Sequence, residues 1–206
     1  MMEIIRTANA GVLLTMDNTS ILLDGVCPPY ANYLGTPEPL RKALLENPPD
    51  ALAFTHRHPD HCDESFADAF AKNTLRPVLW ADQPHPMQVG NLELLPIPTR
   101  HVGKAEIAHI SYIIKGSRCI WFTGDASPLV WRGLELPKPD VLIVTHAYAA
   151  TPIAWKRTKA YGAEQIIVLH MPHRAEDPHG IWQAVEATTA GDKNVHILQM
   201  EEHILI

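Results

Sequence analysis

Four side chains of the types that can bind a metal ion lie within six consecutive residues of this 206-residue chain. His56, His58, Asp60 and His61 form the pattern HxHxDH directly after the short apolar run 51–54. Neutral imidazole and carboxylate are the ligands that divalent metal ions take in proteins. Four such residues cannot all face one way on a regular strand or helix. A strand that leads through a tight loop into a helix can instead fold them around two adjacent ions.

Other histidines and one aspartate stand at the carboxyl ends of further apolar runs. His101, Asp125, His146 and His170 each follow such a run, and the chain contains 12 histidines in all. Ligand sites in sheet proteins gather on the loops that leave the strands at one edge of the sheet. We therefore expect these side chains to lie near the HxHxDH cluster.

The elements that must position these residues change in character along the chain. The first three predicted strands read as an antiparallel meander, and after residue 50 strands alternate with helices. Predicted strands cover 3–8, 12–16, 21–23, 51–54, 78–80, 92–97, 107–114, 119–122, 141–144, 165–169 and 195–198, and predicted helices follow Thr36-Pro37 and cover 64–72, 152–161 and 177–189. Such a pattern predicts mixed sheets covered by helices.

Composition limits the classes of protein and partner. Apolar residues make up 46% of the chain, and a length of 206 residues predicts one domain, 1–206. The net charge of −6 argues against binding to a long nucleic acid or an anionic membrane. No apolar run approaches the roughly 20 residues of a membrane span. Three widely spaced cysteines predict a reducing, cytoplasmic location. The expected partner is a small-molecule substrate, and the sequence leaves open whether the chain forms a homo-oligomer.

The order of these motifs resembles the metallo-β-lactamase superfamily. The match consists of HxHxDH after a short apolar strand, then a lone histidine, then Gly124-Asp125, then His170 at a strand end. The early Asp24-Gly25 pair, after the run 21–23, also looks like an element of that family. The resemblance implies an α/β fold, a four-layer αββα sandwich of mixed sheets, with a metal site at one sheet edge.

The resemblance also implies a set of seven ligands. His56, His58 and His101 would hold one ion, Asp60, His61 and His170 would hold the second, and Asp125 would bridge the two. Asp24 would hydrogen-bond the metal-binding loop without touching an ion. His109 competes with His101 for its place.

The implied function is that of a dinuclear metallohydrolase. A bridging hydroxide between two divalent ions would cleave a small ester, lactone or phosphodiester. Asp60 or Asp125 would orient the hydroxide, and His146 or His173 would protonate the leaving group. Zinc is the favoured metal, and manganese or iron would also suit the second site. His58 stands where redox di-iron relatives usually have a glutamate, which favours the hydrolytic branch.

Alternative functions and roles stay open at this point. The chain could be a mononuclear-iron oxygenase of the persulfide-oxidising kind, a metal-binding protein without turnover, or a nuclease, although its acidic charge disfavours long nucleic acids. His146 could instead support a ligand, and His173 could be a solvated loop residue.

Overall fold

The computed structural model describes residues 1–103, 106–131 and 134–206, and its strands form two mixed sheets. The first sheet has the order β13-β1-β2-β3-β4-β5. Its strands are β1 (Met2–Arg6), β2 (Val12–Met16), β3 (Thr19–Leu23), β4 (Ala51–Ala53), β5 (Val78–Leu79) and β13 (His203–Leu205). The pairs from β13 to β3 are antiparallel, whereas β3, β4 and β5 run parallel.

The second sheet has the order β12-β11-β10-β9-β8-β7-β6. Its strands are β6 (Met87–Val89), β7 (Leu92–Pro98), β8 (Ile110–Lys115), β9 (Cys119–Phe122), β10 (Val141–Thr145), β11 (Gln165–Leu169) and β12 (Val195–Ile197). The pairs from β6 to β9 are antiparallel, and β9, β10, β11 and β12 run parallel.

Helices cover the outer face of each sheet. They are α1 (Glu38–Glu46), α2 (Glu64–Thr74), α3 (Pro152–Lys159) and α4 (Ile181–Thr189). Leu44 of α1 and Phe70 of α2 pack on the first sheet, and Trp155 of α3 and Val185 of α4 pack on the second. The predicted four-layer αββα sandwich is therefore confirmed.

Alternate residues of the central strands point to opposite faces of each sheet, and both faces are apolar. One face can therefore pack on the other sheet while the opposite face packs under the helices. Ile21 and Leu23 of β3 point into the core between the sheets, while Leu22 between them packs under the outer helices. In β10, Ile143 joins the inner core and Leu142 the outer one. Since both faces of these strands are buried, their sequences are continuous apolar runs.

Several element boundaries differ from the sequence-based prediction. Strands β6 and β13 lie at sheet edges and are too short to give a clear alternating pattern. The last helix begins at Ile181 instead of residue 177, because Gly180 takes a left-handed conformation with φ of 65°. The Asp177 carboxylate accepts a hydrogen bond from the Trp182 amide at 2.8 Å and so satisfies one of the free amides in the first turn of α4. No helix in the described residues is long and apolar enough to cross a membrane.

Candidate metal centre

Three overlapping groups of potential metal-binding atoms lie where the strands end, and one of them consists of Asp24 with His56 and His61. The ligand atoms of His56, His58, His101 and Asp125 lie within 4.8 Å of one another, and we call these residues the first donor set. The ligand atoms of Asp60, His61 and His170 also lie within 4.8 Å of one another and form the second donor set. All seven sequence-predicted ligands are thus brought together at one edge of the sandwich.

Asp125 lies between the two sets. Its Oδ2 is 3.6 Å from Nε2 of His101 in the first set. Its Oδ1 is 3.4 Å from Nε2 of His61 and 3.7 Å from Nε2 of His170 in the second set. The carboxylate therefore presents a different oxygen to each set and lies within reach of both.

A tight turn after β4 arranges the HxHxDH cluster. The amides of His61 and Cys62 both donate to the carbonyl of His58, at 2.9 and 3.0 Å. Helix α2 then begins, with the Asp63 side chain accepting from the amide of Phe66. This strand–turn–helix path turns His58 and His61 toward different donor sets, as the spacing predicts.

Backbone close to the bridging carboxylate adopts the left-handed conformation. Gly124 has φ of 52°, and a Cβ atom there would lie 2.6 Å from Oγ1 of Thr55. Only glycine fits this turn without displacing the loop that carries His56. The Val102 amide donates to the carbonyl of Asp125 at 2.8 Å, which ties the His101 loop to the same turn.

Asp24 is fully buried and anchors both donor sets. It accepts hydrogen bonds from the amide and hydroxyl of Thr55, at 2.7 and 2.6 Å, and from Nδ1 of His61 at 2.8 Å. Since the Thr55 hydroxyl donates its proton to Asp24, it accepts from Nδ1 of His56, 3.0 Å away. Asp24 thus has the supporting position that the family resemblance implies.

These hydrogen bonds fix which imidazole nitrogens carry protons. His56 and His61 donate from Nδ1 to these oxygens, and His101 donates from Nδ1 to the carbonyl of Val102 at 2.5 Å. In each neutral ring Nε2 is then left with its lone pair. Metal-binding histidines characteristically donate their second nitrogen in this way.

The buried nitrogens that face Asp125 lack hydrogen-bond partners. Among the described residues, Nε2 of His61, Nε2 of His101 and both ring nitrogens of His170 have no hydrogen bond. Each buried polar atom without a partner costs roughly 1–3 kcal/mol. Lone pairs that converge beside carboxylates fit divalent cations, so these residues suit the metal ions that the fold implies.

The electrostatics of the site favour a positive charge at its centre. Burial opposes a charge on His61, but Asp125 and Asp24 outweigh it and hold the pKa of His61 well above its usual value. Burial likewise opposes ionisation of Asp125, but His170 and His61 outweigh it and hold the pKa of Asp125 well below its usual value. The centre therefore holds an ionised carboxylate that attracts either protons or metal ions.

The second donor set has supporting residues that the sequence analysis missed. Nδ2 of the buried Asn9 donates to Oδ2 of Asp60 at 3.3 Å, and the carbonyl of Asn9 accepts from the His170 amide. The ring of Tyr33 meets the His170 ring edge-on with 4.6 Å between centroids. Burial, followed by Asp60 and Asp125, raises the pKa of Tyr33 to about 12, so its phenol stays protonated. Neither residue belongs to a metal motif, and only the fold brings them here.

His146 and His173 occupy different environments. His146 is half-buried beside His170, and its Nδ1 donates to the His170 carbonyl at 2.6 Å. Its neutral form therefore presents Nε2 as a proton acceptor, which must take up a proton before it can protonate a leaving group. His173 is exposed at the start of the short turn Arg174–Glu176, where its amide donates to the carbonyl of Asn32.

His109 lies against the first donor set. Its ring centroid is 5.1 Å from that of His56 and 5.6 Å from that of His101. Burial, opposed by Asp125, lowers the pKa of His109 to about 3. The first donor set, whose ligand atoms lie within 4.8 Å of one another, contains His101 and does not contain His109. The structure therefore favours His101 for the place that the two histidines compete for.

A cleft of about 290 Å³ opens next to His58. Its lining consists of Arg57, His58, Ala81, Asp82, Ile107 and Ala108. The guanidinium of Arg57 lies 4.1 Å from the Trp80 ring centroid and pairs with Glu64 at 2.5 Å and Asp82 at 3.3 Å. The cleft thus adjoins the first donor set, and its cation is already paired with two carboxylates.

Solved structures share this arrangement of sheets and helices, although no family model and no curated protein matches the sequence. A protein from Veillonella parvula, described as a possible metal-dependent hydrolase, aligns over 100% of both chains with a TM-score of 0.72 and 17% identity. The metallo-β-lactamase fold protein YhfI from Bacillus subtilis also aligns over 100% of both chains, with a TM-score of 0.65 and 17% identity.

One further solved structure belongs to an oxidative enzyme. CmlA, a diiron β-hydroxylase from Streptomyces venezuelae, aligns over 100% of this chain and 54% of its own, with a TM-score of 0.65 and 14% identity. At such identities the likeness shows the fold. The strand order, the four layers and these structural matches together show that the chain has the metallo-β-lactamase fold.

Proposed function

We propose that this chain is a metal-dependent hydrolase that binds two divalent ions and cleaves a small ester, lactone or phosphodiester. The observation that carries the proposal is the position of Asp125. Its two oxygens lie 3.4–3.7 Å from imidazole nitrogens of both donor sets. A carboxylate shared in this way suits a pair of adjacent ions, which is the arrangement of two-metal hydrolases.

Each donor set would hold one ion. Such ions lower the pKa of water toward about 7 and polarise a carbonyl or phosphoryl oxygen. The three imidazoles of the first donor set suit zinc, whereas the carboxylate of Asp60 makes the second set also suitable for manganese or iron.

Asp60 is the carboxylate that orients the attacking water. Burial opposes its ionisation, but the neighbouring His170 and His61 outweigh it and lower its pKa. Asn9 donates to its Oδ2, and His170 Nε2 lies 3.2 Å from the same oxygen. Held from two sides, the ionised carboxylate can accept a hydrogen bond from water in one fixed direction.

His146 is the residue placed to move a proton. Burial and the neighbouring His170 lower its pKa, so the ring starts neutral. Nδ1 is committed to the His170 carbonyl, which leaves Nε2 to take up a proton and then release it to the leaving group. His173 is exposed, so we assign the proton transfer to His146.

The cleft beside His58 fits a small substrate, and the charges around it favour some classes of substrate over others. Arg57 is paired with both Glu64 and Asp82, so it offers little free charge to a phosphate. The net charge of −6 also disfavours polyanionic substrates. Esters and lactones, which have uncharged carbonyl groups, therefore rank above phosphodiesters.

The test combines metal reconstitution with a substrate panel. Protein reconstituted with zinc or manganese would be assayed on a p-nitrophenyl ester, a lactone, a thioester and bis-p-nitrophenyl phosphate, beside Asp125→Asn and a control, His85→Ala. His85 is exposed, and its Nδ1 lies 3.0 Å from the carbonyl of the nearby Gln83. We expect metal-dependent hydrolysis that Asp125→Asn removes and His85→Ala retains. Hydrolysis that survives both Asp125→Asn and chelation would contradict the proposal.

A mononuclear iron-dependent oxygenase is the second candidate, although the oxidative enzyme of similar fold, CmlA, is a diiron hydroxylase. In this chain His58 supplies an imidazole to the first donor set, and the second set is assembled beside it. A mononuclear oxygenase does not need that second set. Oxygen uptake by the iron-loaded protein with a low-molecular-weight persulfide, and no hydrolysis of the panel, would favour the oxygenase.

A further inference from the structure

Arg6 is a buried arginine at the end of β1, and only 3% of it is exposed. Its guanidinium donates to three backbone carbonyls, those of Ala8 at 3.1 Å, Asn9 at 3.0 Å and Leu198 at 2.7 Å. Burial lowers the pKa of Arg6 to about 10, so the group stays charged near neutral pH. Charged donors form stronger hydrogen bonds than neutral ones, and the guanidinium plane fixes their directions. The three carbonyls are therefore held in one arrangement.

Two of these carbonyls belong to residues 7–11, the loop between β1 and β2. The amides of Thr7 and Ala8 both donate to the carbonyl of Gly11, at 3.0 and 3.4 Å, so the loop is closed on itself. Asn9 lies inside this loop and is fully buried. Arg6 thus fixes the position of Asn9 within a short, closed segment.

Asn9 in turn contacts two of the three residues in the second donor set. Its carbonyl, which accepts from Arg6, also accepts from the amide of His170 at 3.2 Å. Its side chain donates to Oδ2 of Asp60 at 3.3 Å. A carbonyl oxygen has two lone pairs and can accept both hydrogen bonds. Arg6 is therefore linked to both ligands through a single residue.

The backbone of His170 needs such support. Its φ is 58°, in the left-handed region that a β-carbon makes unfavourable. Asn9 holds its amide, and Nδ1 of His146 donates to its carbonyl at 2.6 Å. Backbone in such a conformation persists only where the surrounding contacts hold it. Loss of the contact to Asn9 would let His170 relax and carry its ring away from the second donor set.

We propose that Arg6 is a positioning residue for the second donor set and acts through Asn9. This role rests on the proposed metal-dependent function and concerns the site of the second ion. The first donor set has a different contact behind it, because the amide of Val102 donates to the carbonyl of Asp125 at 2.8 Å. A change at Arg6 should therefore weaken the second site and spare the first.

Hydrogen exchange of the metal-free protein tests this role without any ion. Arg6→Met keeps an apolar stem and removes every donor, whereas Arg6→Lys keeps the charge but replaces the planar fork by one donor atom. We expect the amide of His170 to exchange roughly tenfold faster or more in Arg6→Met, and the effect of Arg6→Lys to be smaller. The amide of Val102, beside the first donor set, should keep its rate.

The matched control is Ile114→Val, which lowers stability through the inner core instead of through Arg6. It should change the exchange of the two amides alike. Equal acceleration of both amides in the Arg6 variants would show that Arg6 only stabilises the fold, and an unchanged His170 amide would show that Asn9 is held without it. Either result would overturn the proposal. If Arg6→Met does not fold, the same two amides in Arg6→Lys decide.

Zinc titration gives a second readout, followed by nitrogen NMR of labelled histidines. The ring signals of His56 and His170 report the first and second donor sets, and each is identified as the signal missing in His56→Gln or His170→Gln. We expect the Arg6 variants to weaken zinc binding at the second set, by roughly 10- to 100-fold in Arg6→Met, as loss of other supporting residues does. Binding at the first set should stay nearly unchanged.

These measurements separate the role of Arg6 from the proposed function. Unchanged zinc affinity at the second set, or an equal loss at both sets, would contradict the positioning role. A wild-type chain that binds zinc at neither set would instead refute the proposed function. Hydrogen exchange in the metal-free protein would then still decide whether Arg6 holds His170.

Discussion

The two donor sets share Asp125 but differ in their ligands and in what surrounds them. The first contains three imidazoles and adjoins a cleft of about 290 Å³. The second contains a carboxylate and two imidazoles, and Asn9, Tyr33 and His146 contact its members. The difference suggests a division of labour, in which the first set positions the substrate beside the cleft and the second positions the attacking water and moves the proton.

The largest effect should come from removing the residue that both sets share. Asp125→Ala should lower hydrolysis roughly 10⁴-fold or more, because it removes the one carboxylate that both donor sets share. His58→Ala, which removes a ligand from the first set alone, should also abolish turnover. Measured kcat/KM of the double variant should match that of the worse single variant. A double variant whose loss equals the product of the two single losses would show that Asp125 and His58 act independently and would contradict a shared role.

His146 tests the proton-transfer role assigned to the second set. His146→Gln should retain full metal content and lower turnover roughly 10²-fold, as expected for loss of a group that carries a proton. The loss should shrink for esters with good leaving groups, which need little protonation. Elemental analysis and kcat on a series of leaving groups provide the measurement. Loss of metal in this variant would make His146 a ligand instead.

The variant Asp24→Asn tests whether this one residue holds histidines of both donor sets in place. It accepts directly from His61, and it holds Thr55, which accepts from His56. Asp24→Asn should therefore weaken metal binding roughly 10- to 100-fold, as other supporting residues do. The effect should be larger for the second set, where the contact is direct. Titration of each site with zinc checks this, and a loss confined to the first set would contradict it.

The smallest effect on turnover is expected for Tyr33, whose ring contacts that of His170 in the second set. Tyr33→Phe should keep both ions and lower turnover about fivefold, since one hydrogen bond contributes about 1 kcal/mol. A kinetic comparison on the preferred ester, with Tyr30→Phe as the exposed control, measures it. An unchanged kcat/KM would show that the Tyr33 hydroxyl contacts neither water nor substrate.

The sequence predicts the ligands better than it predicts their supports. The HxHxDH cluster and the strand-end positions of His101, Asp125 and His170 are local features, and strand ends of one sheet meet at one edge. Asn9 and Tyr33 lie in segments with no metal motif, and they reach the second set only because the sheets pack face to face. The proton of His146 is placed by its bond to the His170 carbonyl, and the two residues follow different strands, so no local pattern could reveal it.

Metal stoichiometry tests the central claim most directly. Freshly purified protein, reconstituted with zinc and freed of excess metal, would be measured for metal and protein in the same sample. We expect two ions per chain for the wild type and no more than one for His170→Ala, which removes a ligand from the second set alone. One ion per chain in the wild type, unchanged by excess zinc or manganese, would contradict the dinuclear account.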